Sequence, residues 1–272
     1  MIACASIALV TFTANAQLKT PAPSPTQTVK QDFGVSSVEL IYSRPGIKGR
    51  KIFGDLVPYG QVWRTGANAA TRLKFNDDVM IGGQSLKAGE YALYTVPGES
   101  EWQIIINKGS ANWGTDYKQE DDILRVKVKP MKTEVPVESF TMQFANVKPT
   151  SMDLQIMWDR TAVAVPITTD IDKKVMAQID QLLNKDNKPY FSAAMYYLET
   201  GKDLNQALAW FNEAIKQNPT AYWVYHQKAN ALAKLGKKEE AKQTAAKSMQ
   251  LAKEQKNEDY VKLNEKLLAS LK

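Results

Sequence analysis

The sequence predicts an α+β chain in separate domains: an N-terminal all-β sandwich over 29–168 and C-terminal α-helical repeats over 169–272. Three observations support this. Apolar residues alternate with a period of two before Thr169. The period lengthens to that of a helix after it. Within the helical part, a pattern of small and aromatic residues returns about one repeat unit later. At 272 residues the chain is long enough for two domains.

The chain begins with an apolar run from Ile2 to Ala14, then Ala14-Asn15-Ala16 ahead of Gln17. A short apolar segment ending in an A-x-A pattern reads as a secretory signal over 1–16, so the mature protein is expected to be periplasmic or secreted. The positive residue that normally opens such a segment is missing, since the first is Lys19. The true start is therefore expected upstream of Met1. Cys4 is the only cysteine and falls in the segment to be removed. A lipoprotein would carry its apolar run before the cysteine, whereas here the run follows it. The mature chain then has no thiol for disulfides, catalysis or cysteine metal sites. Pro21, Pro23 and Pro25 make 17–28 an extended linker.

In the β-rich region Val38, Leu40 and Tyr42 alternate with Glu39, Ile41 and Ser43. Tyr91, Leu93 and Thr95 alternate with Ala92, Tyr94 and Val96. Further strands are expected over 72–75, 102–107, 123–129, 140–145, 152–158 and 161–167. Turns are expected at Gly82-Gly83, Ala88-Gly89, Pro97-Gly98 and Asp159-Arg160. Many short strands at this spacing make a sandwich or barrel. Two of them are apolar on both faces, which suits the sandwich centre.

The segment from Ser43 to Thr71 is too long and Gly-rich for a strand, yet Phe53, Tyr59 and Trp63 argue for order. Arg44, Arg50, Arg64 and Arg72 concentrate guanidinium groups around it. In one reading this is a site for an anionic small ligand or a carbohydrate. Arg44, Arg64 and Asn68 then supply donors, and Tyr59 and Trp63 supply apolar faces. In the other, preferred on the sequence alone, Trp63 packs in the core, Gly66 takes a positive φ, and the Arg side chains pair with Asp55, Asp77 or Asp78. Trp113, Asp116 and Tyr117 form a second polar-aromatic cluster. Glu120, Asp121 and Asp122 are acidic but lack calcium-loop spacing and read as a solvated turn.

The runs SRPGIKGRKIFGDLVPYGQVWRTGANAAT, LKAGEYALYTVPGESEWQIIINK, NWGTDY and DDILRV recur in order. Together they resemble the family catalogued as domain of unknown function 2911, over Pro25 to Ile167. The resemblance implies export and no settled activity. It also implies a Glu after Gly66-Ala67-Asn68, where this chain has Ala69; an acid at that position is absent here.

In the helical part Ile171, Val175, Ile179, Leu182 and Leu183 form a first stripe, with Asp170 as its cap. Ala207, Phe211, Ala214 and Pro219 match the second helix of a tetratricopeptide repeat, and Ala241 and Ala245 recur after 34 residues. Tyr190, Ala194, Tyr197 and Gly201 recur as Tyr225, Ala229, Leu232 and Gly236, offset by 35, which places one extra residue in the first internal turn. A last helix carries Tyr260, Leu263, Leu267 and Leu271. Resemblance to such repeats implies a groove for a protein or peptide partner, lined here by Phe191, Met195, Trp223, His226 and Asn230. The competing reading packs these aromatics against the β-domain or the leading helix.

Several chemistries lack their parts. His226 is the only histidine, so a Ser-His-Asp triad and a histidine-rich zinc site are not expected, and no metal or cofactor is. No nucleophile elbow, zinc-protease helix or phosphate loop is present. The net charge of +6 is spread thinly, with no Arg after Arg160, so a nucleic-acid surface is not expected. No stretch beyond the start is long and apolar enough for a membrane span. The expected function is that of a non-enzymatic cell-envelope protein that binds a ligand through its β-domain and a protein through its repeats. The alternative is an envelope enzyme that uses two carboxylates on a carbohydrate or peptidoglycan-like substrate.

Overall fold

The computed structural model describes residues 20–109 and 116–272. The expected export segment, Cys4 and Trp113 lie outside them. The chain divides into two compact units, one ending at Ile171 and the other starting at Asp172.

The first unit is antiparallel throughout. A six-stranded sheet has the order β1-β2-β3-β6-β7-β8 and a four-stranded sheet the order β5-β4-β10-β9. The strands of the first sheet are β1 (Thr26–Phe33), β2 (Ser36–Ser43), β3 (Thr71–Phe75), β6 (Gly89–Val96), β7 (Trp102–Asn107) and β8 (Asp122–Val128). Those of the second are β4 (Val79–Ile81), β5 (Gln84–Leu86), β9 (Met131–Ala145) and β10 (Ser151–Thr168). Leu40, Leu73, Leu93 and Ile104 from one sheet share a core with Phe140, Leu154, Ile156 and Val165 from the other. This is the sandwich that the alternation predicts. The Tyr42 hydroxyl ties the layers by accepting the Met142 N–H at 3.0 Å. β6 and β7, expected at the centre, are buried on both faces, with Ala92, Tyr94 and Ile105 forming a small second cluster.

Two expectations need correction. The linker was drawn through Thr28, but β1 starts at Thr26 and pairs along its whole length with β2. Gly34-Val35 connects them, and the positive φ of 62° at Gly34 is what a two-residue hairpin beginning with glycine requires. The turn expected at Asp159-Arg160 is a bulge inside one long strand. Asp159 takes φ 51°, and the pairing register shifts on either side of it. The bulge changes which positions face inward: Met152, Leu154, Ile156 and Trp158 before it, Val163, Val165 and Ile167 after it. Without the extra residue, one half of β10 would turn its apolar side to water.

The second unit has six helices among the described residues: α1 (Asp172–Leu183), α2 (Tyr190–Thr200), α3 (Leu204–Gln217), α4 (Tyr222–Lys234), α5 (Lys238–Glu254) and α6 (Glu258–Ser270). Gly201 and Gly236 end α2 and the turn after α4 with φ of 70° and 74°. Lys202 and Asp203 separate Gly201 from α3, whereas only Lys237 separates Gly236 from α5, so the extra residue sits where the two offsets place it. Ala194, Ala207, Ala229, Ala241 and Ala245 are all fully buried, as close helix approach demands. The stripe expected for α6 holds at Leu271, which is buried, and at Leu267, which packs on the helical core, but not at Leu263, which is 45 % exposed while Val261 and Asn264 are buried. In α1 only Ile179 is buried.

Candidate functional site

The long segment between β2 and β3 folds across the end of the sandwich. Ile52, Phe53 and Val57 are buried in its core. Trp63 pairs with Thr95 of β6 as an added strand would, through N–H to carbonyl bonds of 2.7 and 2.9 Å. The chain then turns sharply. Thr65, Gly66 and Asn68 all have positive φ, and a Cβ on Gly66 would meet the Ser43 carbonyl at 3.0 Å. The turn lets the Trp63 indole donate to the Gly66 carbonyl at 3.1 Å. The Trp63 ring lies nearly parallel to Trp158, 15° apart with centroids at 5.8 Å, and meets the edges or faces of Phe53, Trp102 and Phe140.

The guanidinium groups divide into two sorts. Arg44 donates to the Phe140 carbonyl and the Thr141 hydroxyl. Arg50 donates to the carbonyls of Ile47 and Gly46, and Arg72 pairs with Glu90 at 3.2 Å. Asn68 donates to the Ser24 carbonyl and the Ser43 hydroxyl. Arg44 and Asn68, read from sequence as ligand donors, are thus occupied in pinning the loop. Asp78, one of the carboxylates expected for the arginines, takes Lys87 and the Ala88 N–H.

Arg64 differs from these. No carboxylate among the described residues pairs with it, and its buried Nε has no hydrogen-bond partner. It lines a cleft of about 350 Å³ together with Lys48, Arg50, Trp63 and Trp158, and no Asp or Glu lines that cleft. Trp158 is 2 % exposed, and its Nε1–H is also buried without a partner. Two orphaned N–H donors and three cationic residues therefore share one cleft.

The other candidates lie elsewhere. Tyr59 is exposed on a second cleft of about 430 Å³, beside Glu99, Trp102 and Lys132. Tyr117 packs edge-on against Tyr94, donates to Asp122 at 2.8 Å and accepts from Arg125 at 2.6 Å. Burial, followed by the Asp122 bond, pushes the Tyr117 phenol up to about 12. Asp122 also accepts from Asn107 and so belongs to a structural network, while Glu120 stays exposed on the turn. Among the described residues no cluster of His, Cys, Asp and Glu is arranged to hold a metal.

In the helical unit a groove of about 350 Å³ runs between α2 and α4, lined by Met195, Leu198, Glu199, Gln227, Asn230 and Lys234. Met195 and Asn230, both expected on a groove, do line it. Phe191 packs on Phe211 and Trp223 on Tyr222, away from that lining. His226 corrects the groove reading, because it is 7 % exposed and its Nδ1 lies 2.8 Å from Asn264 Oδ1. Asn264 Nδ2 donates to the Ser248 hydroxyl and the Tyr260 carbonyl, and Ser248 donates to the Tyr222 carbonyl. With Nδ2 occupied as donor, Oδ1 is the acceptor, so His226 carries its proton on Nδ1. One face of α4 thus serves the groove through Asn230 and the fold through His226.

Residues 24–167 match the family model described as Protein of unknown function (DUF2911). The chain belongs to this family. Residues 210–243 match a model described as Tetratricopeptide repeat. No curated protein and no solved structure matches the chain. The DUF2911 match contains Lys48, Arg50, Trp63, Arg64 and Trp158, so the cleft is built almost wholly from the family's own domain. The repeat match contains Asn230 and the lower part of the groove and supports protein binding. Sequence reasoning missed Trp158 as a site residue, because its place in an alternating strand marks it only as core. It missed Asn264 and Ser248 because polar residues in a helix read as surface.

Proposed function

We propose that the chain is an exported, non-enzymatic binding protein of the cell envelope. Its DUF2911 domain takes a small polar ligand in the Arg64 cleft, and its tetratricopeptide-like repeats hold a protein partner in the groove between α2 and α4. One observation carries the ligand reading: Arg64 and Trp158 line the same cleft, and each has a buried side-chain N–H, Nε and Nε1, with nothing to bond to. Stranding a buried donor costs about 1–3 kcal/mol, and a ligand acceptor removes that cost on binding. A hydrolase working through paired carboxylates would need two acids on the cleft, and its lining has none. The apolar run Ile2 to Ala14 ahead of Ala14-Asn15-Ala16 supports export. The repeat match, with Met195 and Asn230 side by side, supports partner capture.

The test presents a broad array of glycans, organic acids and nucleotides to the chain from Gln17 onward, and to its Arg64→Gln variant. Capture of a ligand by the first and its loss in the second is the expected result. An array with no Arg64-dependent capture overturns the ligand reading. N-terminal sequencing of native protein tests export, and an intact start overturns it.

A further inference from the structure

The cleft has a chemical bias beyond its size. Many of its backbone acceptors are already in use. The carbonyls of Ser24, Gly46 and Gly66 accept from Asn68, Arg50 and the Trp63 indole. Those of Pro45, Trp63 and Arg64 accept from the N–H groups of Phe140, Thr95 and Thr71. Arg64 Nε and Trp158 Nε1, both donors, are buried without a partner. Around them stand the positive charges of Lys48, Arg50 and Arg64, with no acid on the lining. Glu138 of β9 accepts the Lys48 backbone N–H and does not line the cleft.

A neutral sugar hydroxyl donates as well as accepts, and sugar rings are gripped by open aromatic faces. The cleft offers little to either property. The Trp63 ring is stacked on Trp158 and hemmed by Phe53, Trp102 and Phe140. An oxyanion only accepts, carries the complementary charge, and forms stronger bonds to charged donors than a neutral group does. We infer that the Arg64 cleft binds the carboxylate or phosphate group of a small anionic ligand, with Arg64 and Trp158 as its donors. This rests on the reading of the cleft as the ligand site and decides its chemical class. At about 350 Å³ the cleft suits a small molecule or the charged end of a larger one.

The experiment follows the tryptophan indole N–H signals of the full chain by nuclear magnetic resonance. The Trp158 signal is assigned with Trp158→Phe. If that variant does not fold, the signal is assigned by through-bond correlation of the indole to the Trp158 backbone. Inorganic phosphate, glucuronate and glucose are titrated separately. Phosphate or glucuronate is expected to shift the Trp158 signal downfield, with affinity reduced by about tenfold or more in Arg64→Gln and weakened by added salt. The stronger of the two probes tells phosphate from carboxylate. Glucose acting as strongly as either anion, with the same dependence on Arg64, overturns the anion inference and leaves the cleft as the ligand site. A Trp158 signal that no probe moves overturns both.

Discussion

The two units treat their buried polar groups in opposite ways. In the repeat unit His226, Asn264 and Ser248 form a closed chain that ends on the Tyr222 carbonyl, with every participating donor supplied with an acceptor. In the sandwich Arg64 Nε, Trp158 Nε1 and the Tyr94 hydroxyl are buried with no partner. Interiors rarely leave such groups unsatisfied, because each one costs stability. A closed chain fixes how α4, α5 and α6 fit together. An open pair of donors in a cationic cleft costs stability in the free protein and is recovered only when something binds. Polarity in a core thus has two meanings, and the partner count separates them.

The sharpest way to break this contrast is Asn264→Ala. It strands the His226 Nδ1–H in a buried site and opens a small cavity, and is expected to cost about 3 kcal/mol or more. Chemical denaturation of the full chain measures it, and a negligible loss would mean that the polar chain holds nothing. Next in size is Ala229→Leu. Ala229 is fully buried where paired helices approach, so added methylenes are expected to cost about 1–3 kcal/mol.

Asn230→Ala sharpens the contrast from the other side. Asn230 lies on the groove and bonds only to Gln227 at 3.1 Å. Its loss is expected to change stability by no more than about 0.5 kcal/mol while reducing capture of a partner from envelope extract. If it destabilises more than Ala229→Leu does, the face between α2 and α4 is a packing surface.

The smallest effect concerns α1. Asp172 is bonded by Lys202 and Tyr196, and these bonds, with Lys202 the larger cause, hold its carboxyl below the usual range. A depressed carboxylate stabilises above its unfolded pKa and loses that contribution as pH falls through its folded value. Hydrogen-exchange protection of α1, taken relative to the intrinsic exchange rate at each pH, is therefore expected to fall as the solution is acidified below the ordinary aspartate range. In Lys202→Ala the fall starts at higher pH. Identical profiles for the two proteins would remove Lys202 from the account.

Much of the architecture was legible because it rests on periodicity. Val38, Leu40 and Tyr42 declare the inner face of β2, and the spacing of Ala207 and Ala241 declares the repeat. The failures arise where one residue changes meaning by context. Asp159-Arg160 has turn chemistry, yet the long pairing of β9 with β10 absorbs it as a bulge. Asn264 is polar at a position the helix buries, and only the His226 contact explains it. At the cleft, the composition of the segment after β2 picked out Arg64 and Trp63. It could not show that Arg44 and Asn68 are consumed by loop carbonyls and hydroxyls while Arg64 is not, since partner assignment depends on tertiary contacts.

The most direct measurement is the stability of Arg64→Gln in the full chain without ligand. Arg64 has no carboxylate partner among the described residues, so the account predicts a change within about 0.5 kcal/mol, or a slight gain as a desolvated charge is removed. A loss of about 3 kcal/mol or more is what breaking a buried ion pair costs, and it would show that Arg64 holds the loop rather than a ligand.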